Sequence, residues 1–138
     1  MPIALAIAAL AVSAFVSFSF VKAGWFKASS PRETLLAAGF GWVEKTPMAA
    51  VRLLAWLEIA GAVGIVLAPL AAYFVPGFEW AQWVGVAAGI GLALVMVSAA
   101  ILHISRKEFA YTWKANVSLF VAATVAAVLQ ALVTLPLV

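Results

Sequence analysis

The sequence predicts an all-α integral membrane four-helix bundle, with a short interfacial helix between the first and second spanning helices. Three observations carry this reading. The 138 residues are 67% hydrophobic and only 9% charged, with a mean hydropathy of +1.18, whereas a soluble domain carries about 25% charge. The apolar residues fall into four runs, near 3–22, 48–72, 80–104 and 115–136. Each is close to the roughly 20 residues that a helix needs to cross about 30 Å of hydrocarbon. The charges gather between the runs, and only helices or closed barrels satisfy their backbone groups in lipid. These lengths leave no room for a separate soluble domain, so residues 1–138 are expected to form one domain.

The first run lacks a basic leading segment, is longer than a signal-peptide core, and is followed rather than preceded by its cations, Lys22 and Lys27. It is read as a retained helix. Ser13 and Ser17 lie four apart on one face of it, small hydroxyl residues that permit close helix approach. Ser30-Pro31-Arg32-Glu33 has the form of a capping box with Pro at the first helical position, which predicts the interfacial helix near 31–39. Leu35, Leu36 and Phe40 can then lie in the headgroup boundary while Arg32 and Glu33 stay wet. Thr46-Pro47 repeats the start signal for the second spanning helix, and Pro69 with Pro76-Gly77 is expected to close it.

The third helix carries Gly85 and Gly89 four apart, then Met96, Ala99 and His103 at helical spacing. This is a weak motif that more often marks packing within a bundle than dimerisation. The fourth helix begins near Asn116 and is apolar afterwards except for Thr124, Gln130 and Thr134. Most of the six Trp fall at helix ends, as interface anchoring requires; Trp56 is the exception. Cysteine is absent and there is a single His, which excludes thiol chemistry and argues against a metal site. The net charge of +3 is not a nucleic-acid signature, because all eight Lys and Arg lie in or beside two loops at one end of the bundle. By the positive-inside rule that end is cytoplasmic and both termini face outward.

Glu58 is the residue that chemistry singles out. It stands within the apolar run 52–69, where a charge costs roughly 2.5 kcal/mol or more and seldom faces lipid. Gly61 and Ala62 one turn on make room for a neighbouring helix, so the carboxylate is expected to point into the bundle. Arg52 is the cation expected nearby, although six residues place it about 9 Å along the axis and roughly 120° away. With His103, Asn116 and, less centrally, Lys22, it forms an expected polar funnel from the cytoplasmic side to mid-membrane. Such a cluster either locks the helices in register or forms a small-molecule, quinone-headgroup or proton site. Glu108, in the loop after the third helix, is expected to be solvated.

Arg52-x5-Glu58-x2-Gly61-x2-Gly64 followed by Pro69, His103-x4-Glu108, Asn116, Gly41-Trp42 and Pro47 together resemble the pattern of the DoxX-like family of small bacterial membrane proteins. The resemblance runs from about Lys22 to Leu132. It implies a four-helix membrane bundle in a bacterial inner membrane, with Arg52, Glu58, His103, Glu108 and Asn116 at pattern positions. It implies less about activity. Relatives include a membrane subunit of a thiosulfate:quinone oxidoreductase, a membrane protein tied to oxidative-stress enzymes, and chaperones for receptor assembly, and fold kinship does not choose among them. The leading expectation is an accessory or anchoring subunit of a bacterial redox system, not catalytic on its own, with a quinone or lipid pocket. Its partners would be the bilayer, redox enzyme subunits or further copies of itself. The alternatives are a proton-coupled small-molecule transporter and a membrane assembly factor or chaperone.

An outside-active and an inside-active reporter fused after Val138 test the orientation. The outside-active reporter should signal; strong signal from the inside-active one would reverse the topology.

Overall fold

The computed structural model describes residues 3–135. Helix α1 spans Ile3–Ser29, α2 Arg32–Ala37, α3 Met48–Phe74, α4 Ala81–Ser105 and α5 Phe109–Thr134, with a 3₁₀ turn at Gly41–Lys45 between α2 and α3. The helices α1, α3, α4 and α5 are long and apolar enough to cross a membrane, so the chain is a multi-pass membrane protein. They form a ring in which α1 packs on α3 and α5, and α4 on the same two. The expected end of the last helix at 136 lies outside the described residues. At their basic end the helices run further than hydropathy alone predicts. The first continues seven residues past 22, and the last starts at Phe109 rather than 115, because polar side chains there find partners.

The core is a layer of Val16, Phe20, Ala62, Ile65, Leu92, Ala123 and Ala126 across all four spanning helices. Much of the packing depends on small residues, as expected where lipid offers helices no hydrophobic drive to associate. A Cβ at Gly89 would lie 2.9 Å from the Ala127 Cβ and 3.2 Å from its Cα, so α4 and α5 approach backbone to backbone there. The Gly85/Gly89 face thus packs within the bundle. Gly91, on the exposed side of α4, has nothing within 4 Å of such a Cβ.

Three prolines shape the fold, and each leaves a carbonyl four residues earlier without its helical N–H donor. Pro69 does not close α3, as the sequence led one to expect, but lies inside it. The freed Ile65 carbonyl accepts instead from Gln130 Nε2 at 2.8 Å, and the same nitrogen donates to Ser13 Oγ at 2.7 Å. One amide therefore ties α1, α3 and α5. Gly85 leaves the space on α4 that the Gln130 amide oxygen and the Pro69 ring occupy. Pro31 frees the Lys27 carbonyl, which accepts from Arg52 Nη1 at 3.0 Å. Pro47 denies its N–H to the Val43 carbonyl, which accepts from Arg32 Nη1 alongside the Thr46 N–H.

Two start signals act differently from expectation. The N-cap of α2 is Pro31, and no side chain caps that helix; Ser30 is buried instead. Thr46 does not cap α3 either, its hydroxyl donating to the Trp42 carbonyl at 2.7 Å. What holds the segment between α1 and α3 is a small cluster of Leu35, Val43 and Val51, flanked by Phe26, Phe40, Trp42 and Met48. Gly39 makes its turn with φ +96°, a conformation that costs Gly little.

Gly89→Ala should destabilise the bundle by about 1–3 kcal/mol through overpacking against α5. Gly91→Ala should be neutral or stabilising by up to roughly 1 kcal/mol. Reversible unfolding in mixed micelles measures both; equal effects would place the close α4–α5 contact elsewhere.

Candidate functional site

Lys27 and Glu58 meet at the basic end of the core. Both are buried, with side-chain exposures of 9% and 2%. Lys27 Nζ donates to Glu58 Oε1 at 2.8 Å and stands 2.6 Å from Oε2, at an angle that leaves Oε2 without a hydrogen bond of its own. The partner expected for Glu58 was Arg52. It faces the end of α1 instead, donating to the carbonyls of Lys27 and Ala28. The helical offset of about 120° between positions 52 and 58 is the reason. The carbonyls there are among those a helix end leaves unpaired. Arg52 therefore holds the backbone that carries Lys27 and acts on the ion pair only indirectly.

The pair lines a cavity of about 650 Å³ to which all four spanning helices contribute. Ala38, Gly39 and Phe40, which follow α2, and Trp42 of the 3₁₀ turn close one side. The walls are mainly apolar, formed by Leu54, Val95, Met96, Leu102 and Leu119. Of the residues singled out in the sequence, Glu58, His103 and Asn116 line it; Arg52, Lys22 and Glu108 do not. Asn116 is buried and donates through Nδ2 to the Met96 carbonyl at 3.1 Å, bridging α5 and α4. Lys22 is exposed, since five residues from Lys27 put it roughly 140° around the helix.

Glu108 is not simply solvated. Its Oε2 accepts from His103 Nδ1 at 3.1 Å and its Oε1 from Arg106 Nε at 2.9 Å. The hydrogen bond from His103 first, and then the bond and charge of Arg106, hold its carboxyl below the ordinary value despite some desolvation. With Nδ1 engaged as donor, a neutral His103 presents Nε2 as an acceptor, and His103 itself lines the cavity. A Cβ on Gly41 would meet the Arg106 guanidinium at 2.7 Å, so this trio also braces the connecting segment. At the far end, Glu79 is likewise held low, by its own N–H and that of Gly77.

The model of the DoxX-like family matches residues 5–129. The chain belongs to the DoxX-like family. Comparisons with curated proteins and with solved structures gave no match. In this DoxX-like bundle the match begins at residue 5 rather than near Lys22, where the resemblance read from the sequence began, and so takes in α1.

Sequence reasoning missed Lys27 as a site residue, having assigned it to a loop. A signal was present. Ala9, Ser13, Val16, Phe20, Gly24 and Lys27 form the buried stripe of α1, spaced three and four apart, and the stripe continues through Lys27 without a break. Trp56 packs edge-on against Trp25 at a centroid distance of 6.2 Å on the lipid side of the same α1–α3 contact, which accounts for an aromatic so far from a helix end.

The arrangement offers a buried cation, a carboxylate with an unused acceptor position, a partly committed amide and an oriented imidazole around an apolar space. Such a set can orient a polar headgroup by hydrogen bonds at the basic end of the core while an apolar tail follows the walls. Among the described residues no group of His, Cys, Asp and Glu is arranged to hold a metal ion.

Proposed function

We propose that this DoxX-like protein is a membrane-embedded binding and anchoring subunit of a bacterial redox system, whose cavity takes a quinone or a lipid with a similar polar head. The observation that carries the reading is the cavity itself, about 650 Å³ and mainly apolar, with Lys27, Glu58, His103 and Asn116 among its polar lining residues. Small-molecule sites have this size and this mixture, with a few placed polar groups in a mostly apolar wall. Ionisable residues inside a membrane protein point to function by default because they are expensive to keep there.

A quinone ring carries oxygens that accept in the oxidised form and also donate in the reduced form. Lys27 Nζ and Asn116 Nδ2 supply N–H groups to the first. His103 Nε2 can accept from the second, and Glu108 fixes the orientation of His103 as second-layer carboxylates commonly do. The proposal gives this chain binding and positioning and no catalytic step. Its redox partners would be other subunits of the bacterial inner membrane. The basic end would face the cytoplasm and both termini the outside, a reading that the distribution of Lys and Arg supports.

A ligand that binds only the folded form stabilises it by RT ln(1 + [L]/Kd), about 2.7 kcal/mol at a hundredfold excess over Kd. A short-chain quinone analogue should therefore raise the melting temperature of the purified protein. His103→Ala and Asn116→Leu should each reduce that rise more than they lower the unliganded melting point. No stabilisation by any quinone or native lipid fraction would overturn the reading. A rise that survives both substitutions would move the ligand to another surface, such as the groove between α4 and α5 beside Ile90 and Val128.

A further inference from the structure

The far end of the bundle holds a second set of polar side chains that the proposed binding site does not use. Gln82 on α4 is 5% exposed and Gln130 on α5 is 1% exposed. Both side-chain polar atoms of Gln82, the amide oxygen of Gln130 and the hydroxyl of Tyr73 on α3 are buried without a hydrogen-bond partner among the described residues. Their residues gather around Gly85. Gln130 Oε1 sits over Gly85, Gln82 is one turn before Gly85 on the same buried face of α4, and Tyr73 is one turn past Pro69, whose ring packs on Gly85. The Tyr73 and Gln82 side chains lie close together, and neither the hydroxyl nor the amide has a hydrogen-bond partner among the described residues. Three helices thus bring four unpartnered polar atoms to the region around Gly85 and Pro69, and none of these atoms belongs to a charged side chain.

Their chemistry defines what fits between them. Gln82 Nε2 offers two hydrogens, the two amide oxygens only accept, and a phenol does both. The complement is a small neutral molecule that donates and accepts, and buried water commonly makes about three such bonds to otherwise unsatisfied groups. Polar atoms left bare in the interior are strongly disfavoured, which is why buried amides are almost always partnered. We infer that the far end of the bundle contains a built water site, in which bound water bridges Gln82, Tyr73 and the Gln130 amide oxygen. The apolar layer of Val16, Phe20, Ala62, Leu92 and Ala123 separates this water from the Lys27–Glu58 cavity, so the two polar regions are independent.

The chain has two glutamines, so selective ¹⁵N-glutamine labelling of the full-length protein in lipid nanodiscs gives two side-chain NH₂ signals. Either Gln82→Leu or Gln130→Leu assigns both, so one variant that fails to fold does not block the assignment. The Gln82 NH₂ should show a rotating-frame Overhauser cross-peak to water, and Tyr73→Phe should weaken it by removing one of the bridging partners. Absence of the cross-peak in the wild type would overturn the inference. An unchanged cross-peak in Tyr73→Phe would also overturn it, because water at Gln82 would then not be held by the bridge. Neither outcome depends on ligand binding at the basic end.

Discussion

A buried ion pair between the first and third helices, Lys27 with Glu58, is the constraint on which the basic half of this bundle depends. In a low-dielectric interior neither partner is tolerable alone, and the pair persists only if geometry brings the two charges together. That requirement sets the length of α1, which must stay helical through Lys27 to present the ammonium to α3. It also explains the role of Arg52, which closes the end of α1 by taking its last carbonyls. The cavity beside the pair is then bounded by residues whose positions follow from the same α1–α3 contact.

The far half is held by an uncharged counterpart. Gln130 bonds Ser13 and the Ile65 carbonyl, and Pro69 is the reason that carbonyl has no helical donor. Pairing a helix-interrupting proline with an amide on a facing helix turns a local defect into a tertiary contact. The cost of Pro69 is offset only when α5 is in register, so the proline helps to specify the packing. Arg52 and Arg32 answer Pro31 and Pro47 in the same way. Between the two polar ties lies a core in which Ala62, Ala93, Ala123 and Ala126 pack against Val16, Phe20, Ile65, Leu92 and Met96, where shape rather than polarity fixes the contacts.

The spanning helices were legible in the sequence because hydropathy is a strong and local signal. Glu58 was legible because a charge in an apolar run stands out. Its partner was not, since hydropathy ends the first helix at the first lysine, whereas the helix ends where its backbone runs out of partners. The stripe of small buried residues on α1 carries on to Lys27, so facial periodicity held information that hydropathy did not. Pro69 was misread for a similar reason. A proline looks like a terminator when only its own helix is considered, and the amide that rescues it lies 61 positions away, at Gln130. Ser30 and Thr46 match N-cap patterns, but tertiary packing of the connecting segment and the nearby Trp42 carbonyl decide their roles. Glu108 gains its partners from a turn that folds the chain back within five residues of His103, which loop composition does not reveal.

A double-mutant cycle on the ion pair tests this account most directly. Lys27→Met, Glu58→Gln and the double variant should be compared with the wild type by reversible unfolding in mixed micelles. Each single change leaves a buried charge unpaired and should cost roughly 3–5 kcal/mol, whereas the double variant should recover much of that loss. The cycle should therefore give a large favourable coupling between the two positions. Single substitutions whose effects are small and simply add in the double variant would contradict the claim that this pair organises the basic end of the bundle.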